Sequence, residues 1–382
     1  MKDLIILGST GSIGTQALDT VRQYPEKLNV LGLCCDKNVE LLQKQIDEFT
    51  PKYVAVKNKE AAEKLNLPCG TQLFTGDNAP LEIAGAERAC VLNSLVGISG
   101  LAPTMRAIEA GSEIALANKE TLVAGGDLVM SAAKDKGVKI LPVDSEHSAI
   151  WQCLNRNSYG AKEVEKIILT ASGGAFRGKT KEELTDVTVD DALKHPTWNM
   201  GVKVTIDSAT MMNKGFEVIE ASHLFGLGAD KIEIVVHKQS VVHSMIRYAD
   251  GSIIAQLSYP DMRLPVQLAL LYPERGDHCF TPLSFDGLSL DFEMPDLDVF
   301  VCLKLALDCV KAGGNATTVL NAANEVAVAR FAQRQIKFYD IPYYIKRALD
   351  KFFDAKPLKD LEGVLGTDEK VKKFVADVIG RK

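Results

Sequence analysis

Two carboxylates one residue apart, Asp144 and Glu146, follow an apolar run from Val138 to Val143. If that run is a β-strand, its side chains alternate between faces, so the two acids point the same way and Ser145 points the opposite way. Two hard oxygen ligands on one side suit Mg²⁺ or Mn²⁺. A helix start is the competing interpretation, because Asp144 or Ser145 would cap a helix and Glu146 would lie near its positive end. From this stretch alone the helix cap is favoured.

A glycine-rich loop follows the first apolar run of the chain. Asp3 to Leu7 is predicted to be a strand that runs into Gly8-Ser9-Thr10-Gly11-Ser12-Ile13-Gly14, after which a helical pattern begins. Glycines let the backbone turn tightly and approach a pyrophosphate, whose charge is met by N–H groups at the helix N-terminus. The spacing G-x-x-G-x-x-G differs from the general G-x-G-x-x-G fingerprint, so an ordinary turn stays open as the alternative.

The second predicted strand, Asn29 to Cys34, is followed by Asp36-Lys37-Asn38. An acidic residue here binds a ribose 2′-hydroxyl and favours NAD, whereas a basic residue accommodates the 2′-phosphate of NADP. Since Asp36 and Lys37 are both present, this loop leaves the choice of cofactor unsettled.

Helical and extended segments continue to alternate, which is typical of a doubly wound sheet. The predicted strand Ile114 to Ala117 leads into Asn118-Lys119-Glu120, at the carboxyl end where such sheets bind ligands. Lys119 is therefore a candidate cation for substrate or nicotinamide chemistry, with a plain polar loop as the alternative.

Three later segments also carry candidate functional groups. The strand Val164 to Thr170 ends in Ala171-Ser172-Gly173-Gly174, which suits a phosphate or is simply a turn. His195 to Gly201 contains Trp198 between proline and glycine, as expected of a lid or of a surface anchor. Asp207 to Glu220 is predicted to be one capped helix with Ser208 near its start. Its face would present Asn213, Lys214 and Glu217, either to a pocket or to solvent.

The rest of the chain is predicted to hold three strands, a linker and a helical bundle. The strands are Ile232 to His237, Val241 to Tyr248 and Ser252 to Ser258, with a hairpin turn at Asp250-Gly251. The linker is Pro273 to Pro295, and the helices are Val299 to Val310, Thr317 to Gln333, Tyr343 to Phe353 and Glu369 to Ile379.

Composition limits the class of protein. A chain of 382 residues is long enough for two or three domains. The net charge of −6 gives no global attraction to nucleic acid or to an anionic membrane. We find no signal peptide and no apolar run long enough to cross a bilayer. The eight cysteines are scattered without a C-x-x-C pair, which indicates reduced thiols and a cytoplasmic protein.

The order of these motifs resembles the 1-deoxy-D-xylulose 5-phosphate reductoisomerase family over essentially the full length. Each motif alone is weak, but the combination of six is specific: the glycine loop, Asn118 to Glu120, Asp144 to Ser148, Ala171 to Gly174, His195 to Gly201 and Met211 to Glu217.

The resemblance implies an α/β homodimer in which each subunit has three parts. They are an N-terminal Rossmann-like doubly wound sheet, a central α+β catalytic domain and a C-terminal helical bundle. The implied boundaries are 1–143 for NADPH binding, 144–272 for catalysis with a lid at about 193–202, 273–297 for a linker and 298–382 for the helical domain.

The resemblance also assigns roles to matching positions. The implied ligands of Mg²⁺ or Mn²⁺ are Asp144, Glu146 and Glu217. The implied phosphate site is Ser172, Ser208, Asn213 and Lys214, while Lys119, Ser145 and His195 contact the sugar and Trp198 and Met200 lie on the lid. The implied NADPH contacts are Thr10, Gly11, Ser12, Ile13, Lys37, Asn38, Asn118, Glu120 and Gly201. One departure stands out, because the family usually has glycine where this chain has Asp36.

The implied function is the NADPH- and metal-dependent rearrangement and reduction of 1-deoxy-D-xylulose 5-phosphate to 2-C-methyl-D-erythritol 4-phosphate. A simple NAD(P)-dependent dehydrogenase of a phosphorylated aldehyde or semialdehyde is the alternative. A nucleotide-sensing regulatory protein is a rival from another class, although the sequence shows no clear docking surface for a partner.

Overall fold

The computed structural model describes residues 1–155, 163–278 and 280–381. The chain divides into two compact units, each assembled from separate stretches. The first unit is Met1–Thr121, Val129–Ser148 and Asp261–Thr281, and the second is Leu122–Leu128, Ala149–Pro260 and Pro282–Lys382. The predicted α/β fold class is confirmed, with a parallel sheet in the first unit and a second sheet and helices in the other.

The helices and strands alternate in chain order. The strands are β1 (Lys2–Leu7), β2 (Leu28–Cys35), β3 (Tyr53–Val56), β4 (Gln72–Thr75), β5 (Cys90–Asn93), β6 (Glu113–Leu116), β7 (Ile140–Pro142), β8 (Val164–Ala171), β9 (Ile232–Val236), β10 (Val242–Tyr248) and β11 (Ile253–Leu257). The helices are α1 (Ser12–Gln23), α2 (Val39–Phe49), α3 (Lys59–Ala62), α4 (Ala79–Ala84), α5 (Leu101–Glu109), α6 (Lys119–Lys136), α7 (Ser145–Asn155), α8 (Val189–Ala192), α9 (Val202–Ala209), α10 (Met212–Phe225), α11 (Arg263–Leu271), α12 (Val301–Ala312), α13 (Ala316–Ala332), α14 (Asp340–Phe352) and α15 (Leu361–Ile379).

The first unit is built on a seven-stranded sheet in the order β4-β3-β2-β1-β5-β6-β7, with every neighbouring pair parallel. Leu4 to Leu7 of β1 are fully buried, as expected where helices cover both faces of a parallel sheet. The strand order reverses between β1 and β5. Since all carboxyl ends share one edge, the loops after β1, β2, β6 and β7 lie along that edge.

Helix α11 returns the chain to the first unit, which the sequence analysis did not predict. It packs against α1 and lies beside β6 and β7. The residues after it are held there too, because Lys2 Nζ donates to the Tyr272 carbonyl (3.2 Å) and the Asp277 N–H donates to the Tyr24 hydroxyl (2.5 Å). The beginning of the stretch predicted as a linker, up to Thr281, is therefore part of a compact unit.

The second unit holds a four-stranded sheet in the order β11-β10-β8-β9. The pair β8 and β9 is parallel and the other two pairs are antiparallel, so β10 and β11 form the predicted hairpin. Helix α13 packs against α9, α14 and α15, and α10 packs against α12. One core includes the fully buried side chains of Phe216, Phe331 and Tyr344. These contacts give the predicted C-terminal helical bundle its hydrophobic centre.

Among the described residues, no helix combines the length and apolar character that crossing a membrane requires. The described cysteines are free thiols, and Cys279 lies outside the described residues.

Candidate active site

In the glycine loop after β1, the backbone segments lie so close together that only glycine fits at position 14. A Cβ on Gly14 would lie 2.3 Å from the Gly8 carbonyl oxygen and 2.5 Å from Ser9 Cα. Gly8 itself has φ +89°, a conformation that favours glycine. Gly11 is the N-cap residue of α1 and provides no side-chain cap, so the first N–H groups of that helix can be donated to an anion. Thr10 and Ile13 are half-buried, while Gly11 and Ser12 are exposed.

Asp36, Lys37 and Asn38 are all exposed at the carboxyl end of β2, beside the glycine loop. The two loops are neighbours because Leu7, the last residue of β1, pairs with Cys34. The Asn38 side chain accepts from the Leu41 N–H and so caps α2. Of these three residues, Asn38 therefore has a structural role as the N-cap of α2.

Asn118 caps α6 and ties it to the loop after β5. Its carbonyl oxygen accepts from the Thr121 N–H (2.9 Å), and its amide nitrogen donates to the carbonyls of Leu95 (2.8 Å) and Gly97 (2.9 Å). The same nitrogen lies 3.2 Å from Glu120 Oε2, and both side chains are buried. This network positions Lys119, the first residue of α6, at the sheet edge.

Asp144 caps α7, so the stretch is a helix start, a role that is compatible with metal binding by the same carboxylates. Strand β7 ends at Pro142, and Asp144 Oδ1 accepts from the N–H groups of Glu146 (3.0 Å) and His147 (3.4 Å). The expectation that Asp144 and Glu146 share a strand face is wrong, because Glu146 already lies in the first turn of a helix. The predicted helix cap is correct, and Asp144 rather than Ser145 provides it. Ser145 Oγ instead donates to Glu146 Oε2 (2.5 Å).

Lys119 forms an ion pair with Asp144 in which both side chains are largely buried. His147 is fully buried and its Nδ1 lies 3.2 Å from Asp144 Oδ1. Burial acts to raise the pKa of Asp144, but the Lys119 ammonium and His147 outweigh it and hold that pKa well below its ordinary value. Asp144 is therefore an ionised carboxylate, which is the form that binds a divalent cation.

In the second unit, the loop after β8 meets the predicted lid. Ser172 Oγ lies 3.0 Å from His195 Nε2, and Ser172 Oγ also accepts from the Gly174 N–H (3.3 Å). A Cβ on Gly174 would lie 2.3 Å from the Ser208 carbonyl oxygen, so this loop packs directly on the end of α9. Ser172, His195 and Ser208 are thus brought to one place.

His195 is held as a neutral ring with its proton on Nε2. Its Nδ1 accepts from the N–H groups of Thr197 (3.1 Å) and Trp198 (2.9 Å), so that nitrogen carries no proton. Burial lowers the pKa of His195, and the positive charge of Arg177 lowers it further. His195 Nε2 therefore donates to Ser172 and leaves the Ser172 hydroxyl proton for another acceptor.

The predicted lid lies directly before α9. Trp198 is half-buried and its ring centroid lies 6.2 Å from that of His243. The Met200 carbonyl accepts from the Thr205 hydroxyl (3.3 Å), and the exposed Gly201 is the N-cap residue of α9. The indole is therefore packed rather than free in solvent.

The predicted single helix from Asp207 to Glu220 is two helices, which is a correction. Helix α9 ends at Ala209 and α10 begins at Met212, because Met211 adopts φ 57° and breaks the hydrogen-bond ladder. Ser208 consequently lies at the end of a helix, not near the start of one. No glycine or proline marks this break in the sequence.

Asn213, Lys214 and Glu217 share one face of α10, as their spacing predicts. Asn213 Nδ2 donates to Glu217 Oε1 (2.6 Å), and Lys214 Nζ pairs with the other carboxylate oxygen. Lys214 and Glu217 are both almost fully buried, so this face is not a solvated helix surface. The solvent-exposed alternative for Asn213 to Glu217 is therefore wrong.

Sequence reasoning missed Arg177, which follows the small-residue loop. Its guanidinium donates to the Ser172 carbonyl (2.7 Å). Arg177, Gly173 and Met211 also line a cavity of about 420 Å³. A second cavity of about 410 Å³, lined by residues such as His223 and Thr318, contains none of the predicted site residues. Arg177 lies three residues after Gly174, and no general sequence motif marks that position as functional.

Three family models match the chain. One described as 1-deoxy-D-xylulose 5-phosphate reductoisomerase matches residues 4–126, and its C-terminal domain model matches residues 140–225. A further model, described as DXP reductoisomerase C-terminal domain, matches residues 257–374.

Curated relatives carry the same name. The 1-deoxy-D-xylulose 5-phosphate reductoisomerase of Thermoanaerobacter sp. (strain X514) is 50% identical, over 98% of this chain and 99% of the relative. That of Caldanaerobacter subterraneus subsp. tengcongensis is 54% identical over 92% of each.

Solved structures of reductoisomerases are similar to this chain over almost its full length. A DOX-P reductoisomerase in complex with NADPH, fosmidomycin and magnesium has a TM-score of 0.92 at 41% identity and covers 100% of this chain and 98% of that one. The Zymomonas mobilis 1-deoxy-D-xylulose 5-phosphate reductoisomerase in complex with NADPH has a TM-score of 0.90 at 39% identity and covers 99% of both chains.

Proposed function

The chain belongs to the 1-deoxy-D-xylulose 5-phosphate reductoisomerase family, and from that premise we propose what its own residues contribute to the reaction. The reaction is the NADPH- and divalent-metal-dependent conversion of 1-deoxy-D-xylulose 5-phosphate to 2-C-methyl-D-erythritol 4-phosphate in isoprenoid biosynthesis. The comparisons support this function and not the simple dehydrogenase.

NADPH would lie along the carboxyl edge of the seven-stranded sheet. The crowded backbone at Gly14 and the uncapped start of α1 fit a pyrophosphate, which Thr10 to Ile13 would contact. Lys37 and Asn38 would face the 2′-phosphate, with Asp36 beside them. The Asn118 side chain caps α6, and we propose that Asn118 and Glu120 form the part of the site that contacts the nicotinamide. Gly201 would be a further contact with NADPH. The bound cofactor supplies the hydride.

The proposed metal ligands are Asp144, Glu146 and Glu217. Carboxylates are the donors that Mg²⁺ and Mn²⁺ prefer, and Asp144 is held ionised, so the donor set fits such an ion. When bound by these carboxylates, a divalent ion would supply Lewis-acid chemistry to the substrate. Lys119 would place its ammonium where oxyanion charge develops, and Ser145 would contact the sugar.

The proposed phosphate site comprises Ser172, Ser208, Asn213 and Lys214, with His195 beside it. The neutral His195 ring donates to Ser172, so the Ser172 hydroxyl is free to donate to a phosphate oxygen. Phosphate binding away from the reacting carbons would hold the substrate while Trp198 and Met200 exclude water.

We further propose that the protein is a cytoplasmic homodimer without nucleic acid or membrane partners. For function we propose residues 1–143 as the NADPH domain, 144–272 as the catalytic domain with a lid at about 193–202, 273–297 as the linker and 298–382 as the helical domain. Residues 261–281 of the second and third parts pack in the first compact unit.

The observation that carries these assignments is the buried ion pair between Lys119 and Asp144. The ion pair lies at the carboxyl edge of the seven-stranded sheet, where the glycine loop also lies. A cation and an ionised carboxylate are thereby fixed beside the place where a nicotinamide would bind.

NADPH oxidation in the presence of 1-deoxy-D-xylulose 5-phosphate tests the proposal. Chelation of divalent metal should abolish turnover and added Mg²⁺ or Mn²⁺ should restore it. Glu217→Gln and Glu146→Gln should lose turnover yet bind NADPH as the wild type does. Glu183→Gln, at an exposed position of the second unit, is the control and should be fully active. Turnover that survives chelation would instead support the simple dehydrogenase.

A further inference from the structure

Arg177 folds back over the loop that carries Ser172. Its Nη1 donates to the Ser172 carbonyl oxygen at 2.7 Å. A Cβ on Gly173, whose φ is +83°, would lie 2.9 Å from both Cγ and Cδ of Arg177. The arginine side chain therefore occupies the space that a larger residue at 173 would need, and loop and side chain fit together.

The base of this turn is anchored in the core. Phe176, directly before Arg177, is only 3% exposed, and its ring meets that of Phe338 edge to face at 5.1 Å. Because Phe176 cannot shift without opening the core, the Arg177 backbone is fixed and its side chain returns to the loop.

The charge balance around this loop singles out Arg177. Lys214 is paired with Glu217, and Lys203 is paired with Asp207 at 2.8 Å, so each lysine is offset by a carboxylate. Within the described part of the chain, Arg177 has no carboxylate at ion-pair distance, and its one hydrogen bond goes to a neutral carbonyl. A phosphate monoester carries about −1.5 to −2 charges at pH 7. Among the described residues around this loop, the guanidinium is thus a positive charge that no carboxylate offsets.

We propose that Arg177 is a positioning residue for the substrate phosphate, which holds the Ser172 loop through its carbonyl and supplies the positive charge that the dianion needs. The inference rests on the proposed assignment of Ser172 and His195 to the phosphate site. Arg177 holds the loop in place and attracts the phosphate electrostatically, while the Ser172 hydroxyl makes the direct contact with the phosphate.

Steady-state kinetics of Arg177→Met and Arg177→Lys test this role. Arg177→Met should raise KM for 1-deoxy-D-xylulose 5-phosphate by about tenfold and weaken competitive inhibition by inorganic phosphate by a similar factor. KM for NADPH should stay within about twofold. Arg177→Lys keeps the charge and should recover most of the loss. Lys370→Met, at an exposed position of α15 in the same unit, is the control and should match the wild type.

The possible outcomes separate this inference from the proposed function. A wild-type protein that does not turn over 1-deoxy-D-xylulose 5-phosphate contradicts the proposed function itself. With an active wild type, an unchanged substrate KM in Arg177→Met overturns the role of Arg177. Equal losses in Arg177→Met and Arg177→Lys, with KM for NADPH raised as well, would indicate a purely structural role and also overturn it. If Arg177→Met does not fold, Arg177→Gln, which keeps a polar side chain without the charge, should raise the substrate KM alone.

Discussion

The Nε2 atom of His195 lies 3.0 Å from the hydroxyl oxygen of Ser172, which is 23 residues earlier in the chain. Such a pair often marks a nucleophile and its base, but here the direction of the hydrogen bond excludes that role. His195 Nδ1 accepts from two backbone N–H groups, so Nε2 must donate. Ser172 therefore keeps its hydroxyl proton for another acceptor, which we propose is the substrate phosphate, and it is not an activated nucleophile.

The protonation state of His195 can be measured directly. Burial and the charge of Arg177 lower its pKa, so the neutral ring persists until the pH falls below the ordinary value of 6.5. We expect ¹⁵N NMR at pH 7 to show a protonated Nε2 and an unprotonated Nδ1. The spectrum of His195→Gln identifies the resonance. A ring that is doubly protonated at pH 7 would contradict the account.

Removal of the Lys119 charge should affect turnover far more than cofactor binding. Lys119→Met loses the ammonium that holds Asp144 ionised, and we expect kcat to fall roughly 10²- to 10³-fold. The NADPH dissociation constant should stay within about threefold. Lys136→Met, in the last turn of the same helix, is the matched control. A kcat within about fivefold of the wild type would show that Lys119 is only a structural partner of Asp144.

Asp36 should weaken the preference for NADPH. Its exposed carboxylate neighbours Lys37 at the carboxyl end of β2, where it would repel a 2′-phosphate. Asp36→Gly should therefore lower KM for NADPH by roughly three- to tenfold, about 1 kcal/mol, and leave KM for NADH unchanged or higher. Asp77→Gly, an exposed acid after β4 and two strands away, should change neither. Equal effects of the two substitutions would rule out a role for Asp36 in cofactor choice.

Much of the fold is predictable because its signals are local. The apolar strands β1, β2 and β8 and the glycine loop are marked by composition within a few residues. Strand β4 was missed because it is four residues long and none of them is buried. Helix α11 was missed because the sequence around it resembles the end of a sheet, and no local pattern says which unit a helix joins.

The candidate site also combines features that the local sequence predicts with features that only packing determines. The spacing of Asn213 and Glu217 predicts their shared face, since helix geometry fixes it. The capping role of Asp144 could be foreseen only as one of two options, because the choice depends on where β7 ends. The break at Met211 and the return of Arg177 to Ser172 are set by packing, so no pattern in the chain reveals them.

Asp368 should make the stability of the second unit depend on pH. Burial raises the pKa of Asp368 to about 6, although Lys372 at 2.9 Å opposes the shift. A raised carboxyl pKa contributes stability that is fully present below the unfolded value of 3.8 and is lost as the pH rises through about 6. Asp368→Asn should therefore be more stable than the wild type at pH 8, by on the order of 1 kcal/mol, because loss of the ion pair with Lys372 offsets part of the gain.

Thermal melting at two pH values checks this prediction. The gain in melting temperature from Asp368→Asn should shrink between pH 8 and pH 5. Asp377→Asn, an exposed position of the same helix, should show no such trend. A gain that is equal at both pH values would mean that Asp368 does not titrate as described.

The most direct test of the central claim is the proton NMR spectrum of the product. Rearrangement places the methyl group of 1-deoxy-D-xylulose 5-phosphate on a carbon without hydrogen, so we predict a methyl singlet after complete NADPH oxidation with metal present. Simple reduction of the ketone would leave that methyl next to a CH(OH) group and give a doublet. A doublet would contradict the assignment of this site to rearrangement and reduction.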